Sequence, residues 1–160
     1  LEMDSVTAST CRDHGFHQYE TSNYSLAGFE CRHNINYWKN GDYQAAGAGA
    51  VSYQEGRRER REVEPESYIL AIETSGSAII ESELLDREAS FRETVIMGLR
   101  MTRGVSLGSL QNRYKLHPSD YYGELLDTLI VNGLVEITPD HLRITEKGWP
   151  LSNLIMAELV

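Results

Sequence analysis

The stretch Leu134-Val135-Glu136-Ile137-Thr138-Pro139-Asp140-His141-Leu142-Arg143-Ile144 decides the fold class. Leu134–Ile137 and His141–Ile144 read as two short strands, and Thr138-Pro139-Asp140 between them has turn composition, which predicts a β-hairpin. Working outward and upstream, Glu83 to Met101 places Leu84, Leu85, Ala89, Phe91, Val95, Ile96 and Leu99 at helical recurrence, and Gly104 ends the pattern. A shorter helix starts at Ser106 and is carried to Tyr114. Another opens at His117-Pro118-Ser119-Asp120, with Tyr122, Leu125, Leu126, Leu129 and Ile130 as its apolar set, and Asn132-Gly133 closes it. Downstream, Thr145-Glu146-Lys147-Gly148 leads into a last helix, Trp149 to Leu159, in which Trp149 and Leu151 are expected to plug the core. Three helices, a hairpin and a helix make a winged-helix-like order, and the class expected for the whole chain is α+β.

The first half has a different character. Residues 3–14 carry Met3, Val6, Thr7, Thr10 and Cys11 at helical spacing before Gly15, and Phe16 to Thr21 alternates as a short strand. From Ser22 to Asp42 the chain is rich in Asn, Tyr and Gly without a clear period, so a long irregular segment is expected there. Gln44 to Tyr53 is small and apolar, Gln54-Glu55-Gly56 is a turn, and Arg57 to Val63 reads as a returning edge strand protected by its charges. Pro65 suits the first turn of a helix that runs to Ser75 and stops at Gly76. The change of character predicts a boundary near 76–85, with domains 1–78 and 79–160.

Composition narrows the partners. In 160 residues there are 15 Lys+Arg against 24 Asp+Glu, a net charge of -9. That balance argues against nucleic acid and against anionic lipid as the main partner, because phosphate binding needs basic surface. The helix at 118–131, which would read DNA in a winged helix, carries Asp120, Glu124 and Asp127 and no Lys or Arg. The basic cluster Arg57-Arg58-Glu59-Arg60-Arg61 is diluted by Glu55, Glu62, Glu64 and Glu66. No apolar run approaches a membrane span, and Leu1-Glu2-Met3-Asp4-Ser5 does not have the pattern of a secretory leader, although an internal start would look the same. Two cysteines, Cys11 and Cys31, fit a reducing cytoplasm and are too few to hold an iron–sulfur cluster alone.

The stretch from Tyr19 to Tyr53 is chemically the most informative. His33 and Asn34 are followed by Asn36, Tyr37 and Trp38, and then by the side-chain-poor Ala46-Gly47-Ala48-Gly49-Ala50. An imidazole next to flat aromatics matches what porphyrin iron and a porphyrin plane require, yet a lone loop histidine is more often simply hydrogen-bonded. The Gly47/Gly49 spacing does not complete a dinucleotide fingerprint, because position 52 is Ser. Asp42 and Glu20 could serve as acid or base, but nothing in the sequence positions them, so they are read as structural carboxylates. His14, His17, His117 and His141 lack a metal-ligand partner at helical spacing and are read as structural too.

Three segments carry a family resemblance: Tyr19-Glu20-Thr21-Ser22-Asn23-Tyr24, Gly28 to Trp38, and Gly41-Asp42-Tyr43 with Gly47-Ala48-Gly49-Ala50-Val51-Ser52. They resemble the oxygen-independent coproporphyrinogen III oxidase-like group of radical S-adenosylmethionine proteins. His33-Asn34-Ile35-Asn36-Tyr37-Trp38 is similar to the haem-chaperone branch of that group. Glu93–Arg100, Gly104-Val105, Leu134-Val135-Glu136, Leu142–Thr145 and Gly148 are similar to its C-terminal helical domain. The resemblance implies that 1–78 is the last part of a partial (β/α) barrel and that 79–160 is the winged-helix-like C-terminal domain. It implies His33 as haem ligand, with Asn34, Tyr37 and Trp38 shaping the haem pocket, and a strand Ala48-Gly49-Ala50 lining the S-adenosylmethionine side.

The family's three-cysteine motif is absent from the 160 residues. The resemblance therefore implies the C-terminal portion of a longer cytoplasmic protein, whose S-adenosylmethionine and [4Fe–4S] cluster are held mainly elsewhere, and a chain that is not catalytic alone. Thr21 and Val51 are smaller departures, standing where relatives tend to have Ile and His. Haem-accepting proteins are the expected partners, with a second copy pairing through an exposed strand edge and a peripheral membrane contact as further options. Two alternatives stand beside the haem chaperone: the C-terminal portion of a coproporphyrinogen III oxidase, and a non-catalytic winged-helix interaction module.

Overall fold

A computed structural model describes residues 2–160, with the side chains of Glu2 and Asp4 left aside. The chain is a mixed α/β protein with small antiparallel sheets. It forms two compact units, one made of residues 1–40 and 91–160, the other of residues 41–90. The chain leaves the first unit after Asn40 and returns to it at Phe91.

In the first unit, α1 (Glu2–Asp13) stops where Gly15 adopts φ +79°, as its composition predicts. The expected strand at 16–21 shrinks to β1 (His17–Gln18), paired with β2 (Tyr24–Ser25). The segment expected to be irregular contains a helix, α2 (Arg32–Trp38). Residues 19–21 are tied to the returning chain: the amide of Thr21 donates to the carbonyl of Arg100 at 2.9 Å, and that of Thr102 to the carbonyl of Tyr19 at 3.1 Å. The carboxylate of Glu20 is buried there, accepting from the Asn23 side-chain amide and, at 3.2 Å, from the Ser22 amide.

In the second unit, β3 (Val51–Gln54), β4 (Arg57–Arg61) and β5 (Ile79–Leu84) form one antiparallel sheet in that order. Glu55 and Gly56 have φ of +49° and +81°, so the β3–β4 turn is of the primed type that matches strand twist. Two expectations are corrected here. The strand at 57–61 is central rather than an edge, because β5 covers its second side. Strand β5 ends at Leu84, where the helical pattern expected from Glu83 begins, since an apolar run this short fits either period. Helix α3 (Pro65–Ser75) has Pro65 in its first turn and Gly76 at φ +73° as its cap, both as expected. No parallel strand pair occurs among the described residues, so the barrel expected of 1–78 is not visible in the pairing.

From Arg87 the chain runs α4 (Arg87–Gly98), which enters the first unit at Phe91, then β6 (Val105–Ser106), α5 (Leu107–Tyr114), α6 (Pro118–Tyr122), α7 (Glu124–Val131), β7 (Val135–Ile137), β8 (His141–Ile144) and α8 (Ser152–Glu158). The single helix expected at 118–131 is broken at Gly123, whose φ of +52° no helical residue adopts. The hairpin forms as predicted, and β6 adds to it to give the order β6–β8–β7. Its alternation is strict: Val135, Leu142 and Ile144 face inward, while Arg143 bonds Glu136 across the outer face at 2.8 Å. The core joins Phe91, Val95 and Leu99 to Leu110, Leu126, Leu129 and Ile155, all at most 4% exposed. Trp149 packs against this core, whereas Leu151, expected inside it, is 42% exposed.

Candidate haem-contacting helix

Helix α2 is not made by local preference. His, Asn, Tyr and Trp are indifferent helix formers, and Cys31 at its start gives no side-chain cap. Its C-terminal end is instead held by the rest of the unit. The Arg113 guanidinium donates to the carbonyls of Lys39 (3.1 Å) and Asn40 (3.0 Å), which supplies acceptors at a helix end with donors. Asn40 takes the left-handed conformation, φ +48°, that asparagine tolerates best after glycine. Its buried side chain donates to Glu93 Oε2 and Thr94 Oγ1, each at 3.1 Å, and Thr94 Oγ1 lies 2.7 Å from Tyr114 Oη. A hydrogen-bonded chain thus anchors α2 to α4 and α5.

The sequence expects His33, Asn34, Tyr37 and Trp38 in one pocket. At about 100° per residue, His33 and Tyr37 share one face, while Trp38 sits roughly 140° round from His33. His33 is exposed, and its ring meets Tyr37 edge-on, with centroids 4.9 Å apart and planes at 75°. Asn34 is half-buried on the neighbouring face. Trp38 is half-buried, with the Arg100 guanidinium 5.3 Å from its ring centroid and its indole N–H buried without a hydrogen-bond partner. It lines a cavity of about 340 Å³ with Met101, Arg103, Ser106 and His141. His33 and Tyr37 thus form an outward pair, and Trp38 packs inward.

A second feature of α2 has no counterpart in the sequence reading. Arg32, Asn36 and Lys39 line one flank, and with Ile35 and Arg103 they bound a groove of about 350 Å³. Arg32, Lys39 and Arg103 are all exposed. The one usable signal was their spacing, 32, 36 and 39, which marks a helical flank only once the helix is known.

Axial haem ligation requires one imidazole nitrogen with an open side and a flat apolar neighbour, and His33 beside Tyr37 offers both. An iron–sulfur cluster does not fit: Cys11 and Cys31 are the cysteines, and no group of three metal-ligating side chains occurs among the described residues. Ala48-Gly49-Ala50 is not a strand but a turn entering β3, with Gly47 and Gly49 at φ +109° and +70°. Nothing lies within 4 Å of where a Cβ on Gly47 would stand, so this turn is open on one side.

Several of the other candidates are held by hydrogen bonds. Asp42 accepts from the Glu55 amide at 3.0 Å, buttressing the β3–β4 turn. His117 caps α6 by accepting from the Ser119 amide at 3.3 Å. His17 contacts Glu30 at 3.0 Å, and the carboxyl of Glu30 is held below its ordinary range by its own amide first, then by the Gly28 amide and His17.

Residues 85–151 match a family model described as the HemN C-terminal domain. A protein of Lactococcus lactis named "Heme chaperone HemW" is 33% identical over 91% of this chain and 38% of its own length. One of the same name from Bacillus subtilis is 32% identical over 95% of this chain and 40% of its own length. The chain thus spans about two fifths of these relatives. A solved structure of the Escherichia coli coproporphyrinogen III oxidase HemN, a radical SAM enzyme, superposes with a TM-score of 0.75 over 97% of this chain and 39% of that one, at 18% identity. The fold is therefore that of the corresponding part of HemN, and residues 85–151 belong to the HemN C-terminal domain family.

Proposed function

We propose that this chain is the C-terminal portion of a haem chaperone, which takes haem on α2 through His33 and delivers it to acceptor proteins. The observation that carries the reading is the exposed imidazole of His33 set edge-on to Tyr37, on a helix anchored at its end by Arg113 and Asn40. An anchored helix presents the ligand with little ordering cost, and an exposed one leaves the cargo reachable by an acceptor. The names of the two relatives support the same cargo. The oxidase alternative rests on a likeness of fold at 18% identity, and fold alone does not carry chemistry.

In the whole protein, S-adenosylmethionine and a [4Fe–4S] cluster belong to the remaining length, with the open turn at Ala48-Gly49-Ala50 as this chain's contribution. The segment 1–78 is read as the end of the barrel, its missing neighbours supplied by that length. The order α4–β6–α5–α6–α7–β7–β8, with sheet order β6–β8–β7, supports a winged-helix reading of 79–160. No helix of the described residues is long and apolar enough to cross a membrane, and a cytoplasmic location follows from the haem-delivery reading.

Titration of hemin into the protein tests the proposal. The wild type is expected to shift the Soret band, and His33→Ala to weaken binding by at least about tenfold, the loss typical of disturbing a metal ligand. An identical shift and affinity in the variant would remove His33 as the ligand.

A further inference from the structure

We propose that Arg32, Lys39 and Arg103 form an anion-binding groove that holds the propionate carboxylates of the porphyrin whose iron His33 takes. The inference rests on the haem reading and names the groups that recognise the rest of the ligand. The three cations share one groove with Ile35 and Asn36, and no carboxylate lines it. Among the described residues, no carboxylate forms an ion pair with any of the three.

The contrast with the other basic cluster is what gives this weight. Arg58 and Arg60 on β4 each face a glutamate across the sheet, Glu83 at 3.6 Å and Glu81 at 3.2 Å. Two of the four arginines that stand out in the sequence are thus paired with glutamates and the other two donate to serine hydroxyls, while three cations that do not stand out are gathered and left open. In a chain of net charge -9 this is a local reversal of sign, and a concave surface of one sign concentrates the opposite ion.

Placement suits a ligand that also reaches His33. Arg32 precedes His33 directly, and Asn36 lies about 60° round the helix from it. Lys39 is about 9 Å further along the axis than His33, a reach on the scale of the porphyrin itself. A porphyrin laid across the His33–Tyr37 face therefore turns its carboxylate edge to this flank. The two guanidinium groups pair with carboxylates in bidentate fashion, and Asn36 adds a polar group beside them. The indole of Trp38 and the imidazole of His141 continue the wall where Lys39 and Arg103 also line the inner cavity.

The test separates iron from carboxylate. Hemin and hemin dimethyl ester, whose propionates are esterified, are titrated into the wild type, Arg32→Gln/Arg103→Gln and His33→Ala. The double variant is expected to bind hemin on the order of tenfold more weakly with an unchanged Soret position, the loss of two charge-assisted pairs. The ester is expected to bind the wild type and the double variant equally weakly. Arg103→Lys, which keeps the charge but not the bidentate fork, is expected to lose less affinity than Arg103→Gln. An excess of inorganic phosphate at constant ionic strength leaves hemin bound; its displacement would make the groove a general phosphate site instead. Hemin binding that is lost in His33→Ala yet equal in the double variant and in the wild type overturns the groove alone. A wild type that gives no Soret shift overturns the haem reading and the groove with it. The ester comparison needs only wild-type protein, so it decides the matter even where the double variant misfolds.

Discussion

At the scale of the residue, Gly104 shows how a single missing side chain fixes the approach of two elements. It adopts φ +80°, and a Cβ there would stand 2.1 Å from the Leu142 carbonyl oxygen and 2.5 Å from the Arg143 Cβ. Both neighbours belong to β8, the central strand of its sheet, so neither can retreat cheaply. Gly28 has nearly the same φ, +83°, but nothing within 4 Å of its would-be Cβ. The pair therefore separates backbone strain from collision. Gly28→Ala is expected to cost about 1 kcal/mol, the left-handed penalty alone. Gly104→Ala adds an overpacking penalty, for a total of about 3–5 kcal/mol. Urea unfolding of both variants measures the difference, and equal midpoints would show that β8 yields to the extra atom.

At the scale of the element, α2 carries the candidate site and is the part least legible in the sequence. The hairpin at 134–144, the α3 stops at Pro65 and Gly76 and the core helix through Phe91, Val95 and Leu99 were readable because alternation or spacing repeats there. Helix α2 runs only from Arg32 to Trp38, under two full turns, so no period can establish itself. The sequence marks His33 as a candidate through its motif, but not its face, and not the inward turn of Trp38. The reason is that α2 is specified by residues distant in sequence, with Arg113 and Thr94 above all. Arg113→Met is accordingly expected to release the C-terminal end of α2. Removing donors from two helix-end carbonyls costs about 1–3 kcal/mol. Hydrogen exchange of the amides of residues 36–40 should quicken, with the interior of α4 unchanged, and hemin affinity should fall without any change at His33 itself. Unaltered exchange at 36–40 would mean that the Asn40–Thr94 bond suffices.

At the scale of the whole molecule, the two units differ in what holds them. The first has the apolar core of Phe91, Val95, Leu110, Leu126, Leu142 and Ile155, each at most 2% exposed. In the second, Tyr53 and Ala78 are the buried apolar residues, with Ser52 and Ser90, while Leu70 and Leu84 are 61% and 62% exposed. Its stability therefore leans on the ladders of β3, β4 and β5 and on the turn at Glu55-Gly56. The boundary expected at 78 follows the change of composition, while the compact units are set by which residues lie together, and these bring residues 1–40 together with residues 91–160. Segments with little buried apolar surface open at low free energy, and a well-packed core opens only globally. Leu126→Ala, a truncation at a fully buried site, is expected to cost about 2–5 kcal/mol of global stability. Native-state hydrogen exchange then reads the two units separately. Amides of α4 and α7 should lose protection by that amount, while those of β3 to β5, expected to exchange faster from the outset, should hardly change. A uniform loss across both units would mean that the sheet of 51–84 opens only with the core, and that burial in the described chain understates its coupling.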